Sequence, residues 1–357
     1  MDIRFLFLIA IVLYLAQNFT FRRFGLSKIQ YTRRFSDPYV YAGQDVELIE
    51  FLENDKWLPL PWLTIESLFP SGLHFANASA LHSVIGEDLQ HHQSLFTLAP
   101  YTRVTRRHKI TCIQRGVYGL QEPTLTCGDL FGATSPFLKV QVDSKLIVYP
   151  AILSNADMPI EFHSWQGEIT VRRYSIQDPF TFSGIRDYTD GDPQNQIHWA
   201  AFARTGKLQV YRHETTADYR IMILINFEIT EEMWDMVTDN DLLERGLSYA
   251  ATLTKNAIAN GLLVGFASNG MVKSDVTNMP YLTPCGGQEY LHIILTTLAT
   301  MIMRCGCSFR TLMEQELRTY HSPTDYLILS AHFSEDILVQ KNNLEAAGHS
   351  VTCFHLQ

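Results

Sequence analysis

The sequence predicts an α+β multidomain protein: an N-terminal transmembrane helix, a β-sandwich-like domain, then a doubly wound α/β domain. Three observations carry that prediction. An unbroken apolar and aromatic run fills residues 5–16. Short apolar runs between glycine and proline turns fill residues 28–150. From residue 219 onward, solid apolar strands alternate with helices of amphipathic spacing. The boundaries read as 1–24 for the anchor, 28–150 for the β-rich domain, 151–218 for a connecting segment and 219–357 for the α/β domain.

The first apolar run continues past Gln17 and Asn18 to Phe19 and Phe21. That is about 17 residues, the short end of what spans a hydrocarbon core. Arg22, Arg23, Lys28, Arg33 and Arg34 follow it. By the positive-inside rule they place the bulk of the chain in the cytoplasm. The expectation is a single-pass cell-membrane protein that meets the lipid bilayer through residues 5–21. A signal peptide would carry its basic residues ahead of the run and a small-x-small site behind it, whereas here most of the basic residues follow and no such site is evident. A buried or interfacial helix is the other alternative. With a cytoplasmic body, Asn18-Phe19-Thr20 and Asn77-Ala78-Ser79 are chance matches to glycosylation sequons.

Charge is unevenly spread. The 357 residues carry 28 Lys+Arg against 37 Asp+Glu, a formal net charge of −9. Residues 1–34 hold six basic side chains against Asp2 alone, so the acidic character lies in the body. An acidic total argues against a general nucleic-acid binder, which needs a concentrated basic face. A basic tract on an acidic body points to a membrane surface instead. Arg103, Arg106, Arg107, Lys109 and Arg115 form a second basic stretch, read as solvated strand faces in preference to a headgroup-binding patch. The six cysteines are too sparse for a disulfide framework. Cys305-Gly-Cys307 has the wrong spacing for a redox or zinc half-site and reads as two small residues near the end of an apolar helix.

In the C-terminal part, 221–225, 262–267, 326–329 and 351–354 read as strands. Leu243, Leu247, Ala250, Ala251, Thr254 and Ile258 outline one helix. Leu291, Ile294, Leu295, Leu298 and Ile302 outline a second, and Ile337, Lys341 and Leu344 a third, stopped by Gly348. Such a pattern indicates a parallel sheet with helices on both faces, whose ligands sit at the C-terminal ends of the strands. Residues 226–230 and 268–270 are therefore the places to inspect.

The connecting segment holds the densest cluster of charged, aromatic and glycine residues. Gly184-Ile185-Arg186-Asp187-Tyr188-Thr189-Asp190-Gly191-Asp192 is followed by Ile197-His198-Trp199 and by Ala203-Arg204-Thr205-Gly206-Lys207-Leu208-Gln209-Val210. This stretch resembles the signature of the bacterial domain of unknown function 58 family. Glu53-Asn54, Leu60-Pro61-Trp62, Arg115-Gly116-Val117-Tyr118, Asp129-Leu130-Phe131-Gly132 and Val148-Tyr149-Pro150 resemble further elements of a membrane-anchored branch, so the resemblance covers nearly the whole chain. Two positions depart from the signature. Asp187 stands where Glu is usual, and Asn195 stands where Arg is common, which weakens any anion contact there.

The resemblance implies a von Willebrand factor A-like C-terminal domain. Such domains often hold Mg²⁺ in a D-x-S-x-S loop after the first strand. The matching positions here are Asn226, Glu228 and Thr230. An amide replaces the first carboxylate and a carboxylate replaces a hydroxyl, so the metal site reads as degenerate. No cofactor is implied. The resemblance also implies a partner, a MoxR-type AAA+ ATPase, sometimes with a transglutaminase-like membrane protein. The favoured function is a membrane-anchored adaptor in assembly, maturation or cell-envelope processes. Its recognition surface would comprise Arg186, Asp187, Tyr188, Gly191, Asp192, His198, Trp199 and Arg204. The alternative is an enzyme using Asp187, Asp192 and His198 as acid/base groups, although no converging nucleophile presents itself. On the structural reading Asp192 accepts from backbone N–H groups, Arg186 pairs with a carboxylate and Trp199 packs under the loop.

Neither a Walker A nor a G-x-S-x-G motif occurs, so ATPase and α/β-hydrolase readings lack support. Gly286-Gly287-Gln288 reads as a loop before a helix. His91-His92 lacks a second ligand pair.

Overall fold

A computed structural model describes residues 3–75, 84–85, 89–129, 135–162, 165, 167, 182–189, 192, 194–213, 219–230, 239–273, 279–319 and 323–356. Asn77-Ala78-Ser79, Leu130-Phe131-Gly132, Asp190 and Gly191 lie outside them. The chain divides into two units. Unit 1 is residues 1–152 with Leu295–Met301, and unit 2 is Leu153–Ile294 with Ile302–Gln357.

Unit 1 opens with helix α1 (Ile3–Phe24). Twelve described strands follow: β1 (Ile29–Phe35), β2 (Tyr39–Tyr41), β3 (Asp45–Asn54), β4 (Leu60–Pro70), β5 (Leu73–Phe75), β6 (Val84–Ile85), β7 (Leu89–Leu98), β8 (Thr102–Cys112), β9 (Gly116–Gly119), β10 (Thr124–Gly128), β11 (Phe137–Lys139) and β12 (Lys145–Tyr149). They form a four-stranded sheet in the order β1-β3-β8-β5, a five-stranded sheet β11-β10-β4-β7-β6 and a three-stranded sheet β2-β12-β9. All pairings but β2–β12 are antiparallel. Period-2 alternation sorts the side chains. Val46, Leu48 and Leu52 of β3 are buried, while Asp45, Glu47 and Glu53 reach back across the strand pair to β8. Three basic side chains of β8 are thereby paired: Arg103 with Glu53 at 2.6 Å, Arg107 with Glu47 at 3.2 Å and Lys109 with Asp45 at 2.7 Å. Two apolar clusters fill the unit, one around Leu52, Leu60, Leu63 and Ile65, the other around Leu48, Phe69, Leu73 and Ile110.

The expected transmembrane anchor is not found. Among the described residues no helix is long and apolar enough to cross a membrane. The physical reason lies in the C-terminal turns of α1. Gln17 and Asn18 interrupt the apolar run, and Phe21 is buried with Tyr31, Leu52 and Leu60 in the first cluster of unit 1. Lys56, itself buried, donates from Nζ to the carbonyls of Gly25 at 2.7 Å and Ser27 at 3.0 Å, just beyond the helix end. The last turn therefore belongs to the fold of unit 1. The expected contact of residues 5–21 with a bilayer, and the single-pass placement with a cytoplasmic body, fall with the anchor.

Unit 2 begins with an antiparallel strand pair, β13 (Phe182–Asp187) and β14 (Gln209–His213), separated by the short helix α2 (Trp199–Thr205). Next come β15 (Arg220–Ile225), α3 (Asn240–Ala259), β16 (Leu263–Ser268), β17 (Gly270–Val272), β18 (Tyr281–Cys285), α4 (Gln288–Thr300), β19 (Met301–Cys305), α5 (Phe309–Thr319), β20 (Asp325–Ser330), α6 (Glu335–Ala346) and β21 (Ser350–His355). Strand β15 is almost wholly buried and pairs in parallel with β16 and β20, and β21 extends the sheet beside β20. Leu243, Leu247, Ala250 and Ala251 give α3 its buried face, and Asp239 caps it through the Leu242 N–H at 3.0 Å.

The fold class also needs correcting. Sheets dominate the described chain, and the helices other than α1 and α3 are short. The sheet of unit 2 is mixed instead of parallel throughout, because β18 closes one edge antiparallel to β16 with a register shift between Val264 and Phe266. Pro284 sits in that edge strand, where a missing N–H is tolerated. Residues 301–305, expected to end a helix, form the strand β19 instead, paired with β17.

Glu316 of α5 is fully buried and accepts a hydrogen bond from the Tyr326 hydroxyl at 3.2 Å. Burial pushes its carboxyl up to about 7. A carboxyl raised in the folded state favours folding while protonated, so this contribution is complete below about 4.5 and is lost as pH rises through 7. Glu316→Gln should remove that slope. In urea unfolding, the variant is expected to gain about 2 kcal/mol on wild type between pH 5 and pH 8. Parallel pH profiles for the two proteins would contradict this.

Candidate functional site

The signature residues come together around the β13–β14 pair. Asp187 and Gln209 lie opposite each other in register, and Gln209 Nε2 donates to Asp187 Oδ1 at 3.2 Å. On the neighbouring turn, Arg186 grips Asp192 with two parallel bonds, Nη1 to Oδ2 at 2.7 Å and Nη2 to Oδ1 at 2.5 Å. The same Oδ2 accepts from the Thr189 N–H at 2.9 Å and its hydroxyl at 3.0 Å. The Asp192 N–H closes the turn onto the Thr189 carbonyl at 3.0 Å. The Arg186 hydrogen bond, then the backbone bond from Thr189, holds the Asp192 carboxyl far below the usual carboxylate range. The expected polar turn, with a carboxylate on arginine and on backbone N–H, is present.

After the turn, Ile197 bridges Val210, and the His198 N–H donates to the Gln209 carbonyl at 2.8 Å. This leaves His198 at the N-cap of α2, where Nδ1 accepts from the Ala201 N–H at 3.0 Å. Its ring packs against Tyr211 with centroids 4.4 Å apart. Helix α2 stops at Gly206, whose φ of 70° is the left-handed conformation that suits a glycine C-cap. Ile197, Ala201 and Val210 are buried and bind the helix to the strand pair.

Trp199 does not pack under the loop. It is the first residue of α2 and is 63% exposed, because His198 takes the inward capping position one residue earlier. Its ring meets Phe202 edge-on at 6.2 Å, and Phe202, Ile185 and Leu208 are exposed as well. Arg204 and Lys207 are also exposed, and Tyr188 is half-buried. The structure thus presents large apolar side chains and cationic heads on a short, hydrogen-bonded scaffold. Gly191 lies outside the described residues.

This arrangement does not suit acid/base chemistry. Asp192 is held ionised by Arg186 and has its oxygens engaged, and His198 uses Nδ1 as a helix cap. Asp187 is bonded to Gln209, and among the described residues no contact brings the three to one reacting position.

Upstream elements of the resemblance also meet. Trp62 Nε1 donates to the Asp129 carbonyl at 3.2 Å, and Val148 lies opposite Gly116 in register. Asn54 pins a turn by donating to the carbonyls of Leu58 at 3.1 Å and Ala99 at 2.9 Å.

At the C-terminal ends of β15, β16 and β20, the positions Asn226, Glu228 and Thr230 do not converge on an ion. Asn226 donates to Ser330 Oγ at 3.0 Å, while its Oδ1 accepts from the Glu228 N–H at 2.9 Å and Asn269 Nδ2 at 3.1 Å. Asn269 Oδ1 in turn accepts from the Phe227 N–H at 2.8 Å. Glu228 Oε1 accepts from the Phe309 N–H at the start of α5 at 3.1 Å, and burial raises its carboxyl. The loop is a closed amide and hydroxyl network that ties strand ends together. Asn269 falls in the 268–270 stretch that the sequence marks for inspection, whereas Ser330 was missed, since one polar residue at the end of an apolar strand carries no motif.

Comparisons with family models and with curated proteins find no match for this chain. Similar solved structures include a non-cellulosomal cohesin from Archaeoglobus fulgidus, 13% identical over 38% of this chain and 97% of that one, with a TM-score of 0.21. They also include the CARDB domain of a Pyrococcus furiosus protein in complex with di-metal ions, 12% identical over 34% of this chain and 93% of that one, TM-score 0.21. A third is a type I cohesin from Pseudobacteroides cellulosolvens, 10% identical over 36% and 97%, TM-score 0.23. The von Willebrand factor A-type part of the expected fold class is withdrawn with the rest, on the mixed sheet and the many sheets of the described chain. The likeness assigns no function.

Asp192→Asn should free Arg186 and loosen the turn without unfolding unit 2. Amide exchange across residues 187–189 should quicken while β15 stays protected. His198→Ala should weaken the cap of α2 by about 1 kcal/mol, read as faster exchange at Ala201.

Proposed function

We propose that the chain is an interaction or adaptor protein akin to the domain of unknown function 58 family. In this reading it works with a MoxR-type AAA+ ATPase in assembly, maturation or cell-envelope processes, and a transglutaminase-like membrane protein is a further partner. No membrane anchor is part of the reading. The observation that carries it is the contrast inside the signature segment. Arg186 and Asp192 are spent on bracing the turn, whereas Trp199, Phe202, Ile185 and Leu208 are left in solvent. Exposed aromatics on a stiff support are what an interface centre needs, since tryptophan and arginine dominate binding energy and a pre-ordered loop loses little entropy on docking. A reacting centre would show the opposite economy, with polar groups free and apolar ones buried.

The test is affinity capture from cell extract with the purified full-length protein as bait, across nucleotide states. Wild type should retain an AAA+ ATPase. Trp199→Ala with Phe202→Ala should reduce capture at least tenfold, and Arg186→Ala with Asp192→Ala should do so through loss of the brace, provided circular dichroism matches wild type. Equal capture by all three proteins would move the interface off this segment. Absence of any AAA+ ATPase in every nucleotide state would overturn the partnership.

A further inference from the structure

The core of unit 1 holds charges where an antiparallel sandwich ordinarily holds hydrocarbon. Arg33 on β1 lies opposite Glu50 on β3, and Ser67 on β4 lies opposite His92 on β7. Glu50, 2% exposed, accepts from the Tyr31 hydroxyl at 2.6 Å, and His108 Nε2 of β8 lies 3.0 Å from its other oxygen. Arg33 is 3% exposed. Its Nη2 donates to the Gln121 carbonyl and its guanidinium sits 5.2 Å from the centre of the Phe69 ring, while Nε and Nη1 have no hydrogen-bond partner among the described residues. His92, 2% exposed, stacks on Phe75 of β5 at 4.6 Å and meets Phe69 and His108 edge-on at 5.5 and 5.3 Å, and its Nε2 has no partner among the described residues. Arg106 of β8 lies over Phe96 of β7 at 4.1 Å.

The buried pair Arg33 and Glu50 is balanced in formal charge while His92 is neutral. Glu50 is the one carboxylate among the described groups facing it, and it already answers Arg33, Tyr31 and His108. A proton on His92 would add a cation beside Arg33 and Arg106, among aromatic rings, with no acceptor for its Nε2–H among the described residues. Burial pushes the His92 imidazole down to about 4. At Glu50 burial acts upward, but the bonds from His108 and Tyr31 outweigh it and the net shift is downward.

We propose that this array is an acid-sensitive latch: protonation of His92, and then of Glu50, parts the two larger sheets of unit 1 and uncovers Phe69, Phe75 and Phe96 while unit 2 stays folded. An imidazole depressed in the folded state favours folding fully above its ordinary value of 6.5, and that contribution is lost as pH falls from 6.5 to about 4. Glu50 extends the loss below 4.5. Glu316 works in the other sense, so unit 2 gains stability over the range in which unit 1 weakens.

The experiment is peptide-resolved hydrogen–deuterium exchange on the full chain from pH 7.5 to 4.5, corrected for intrinsic exchange rates. Protection of β1, β3, β7 and β8 should fall by about a hundredfold, and that of β15, β16 and β20 should not. His92→Phe keeps a ring against Phe75 and should flatten the response. Unchanged protection in wild type, or an equal fall in His92→Phe, would overturn the proposal. If that variant does not fold, NMR of histidine-labelled wild type decides. An imidazole that stays neutral until the sandwich signals vanish supports the latch, and one that titrates near 6.5 with the fold intact removes it.

Discussion

The ten-residue register between β3 and β8 is the constraint on which unit 1 depends. It sets two rows of side chains at once. Outward, Asp45, Glu47 and Glu53 meet Lys109, Arg107 and Arg103. Inward, Leu48 and Leu52 fill the two apolar clusters, with Glu50 between them bound by Tyr31 and His108. A slip of one residue would exchange the rows, placing three carboxylates in the core and three apolar side chains in water. The exposed ion pairs add little stability individually, but they oppose that slip. Polar groups here do more to specify the arrangement than to strengthen it.

The same division of labour appears in the signature segment of unit 2. Arg186 and Asp192 hold the turn, and His198 holds the start of α2. Trp199, Phe202, Ile185 and Leu208 take no part in that bracing and stay in solvent. The closed network of Asn226, Ser330 and Asn269 likewise spends its polar atoms on joining strand ends.

How much of this could be read in the sequence follows from which physical signals are local. The strands at 220–225, 263–268 and 325–330 stand out because each is built on an apolar run, and 350–355 because Gly348 stops the helix ahead of it. The Arg186–Asp192 turn was legible because glycine, aspartate and arginine crowd within nine residues. Strand β18 was hidden by Pro284 within it and Pro280 just before it, which read as loop until its edge position is known. The run at 5–16 read as a membrane span because hydropathy cannot show that Phe21 is claimed by the core and the helix end by Lys56. Trp199 was misplaced because capping by His198 turns the helix by one residue. The array around Glu50 was invisible: in alternating strands, polar residues at Arg33, Glu50 and His92 look like a solvent face, and only pairing of distant strands reveals them as interior.

The attachment of α1 has a mechanical consequence. The helix enters unit 1 through Phe21 in the core and through the Lys56 ammonium on the carbonyls of Gly25 and Ser27. Force applied along α1 reaches those two fastenings before it reaches any strand. Both lie within a few residues of the helix end, so the load enters beside β1 and β3 and not through a slack tether. A tug on α1 would therefore be felt as shear across the sheet.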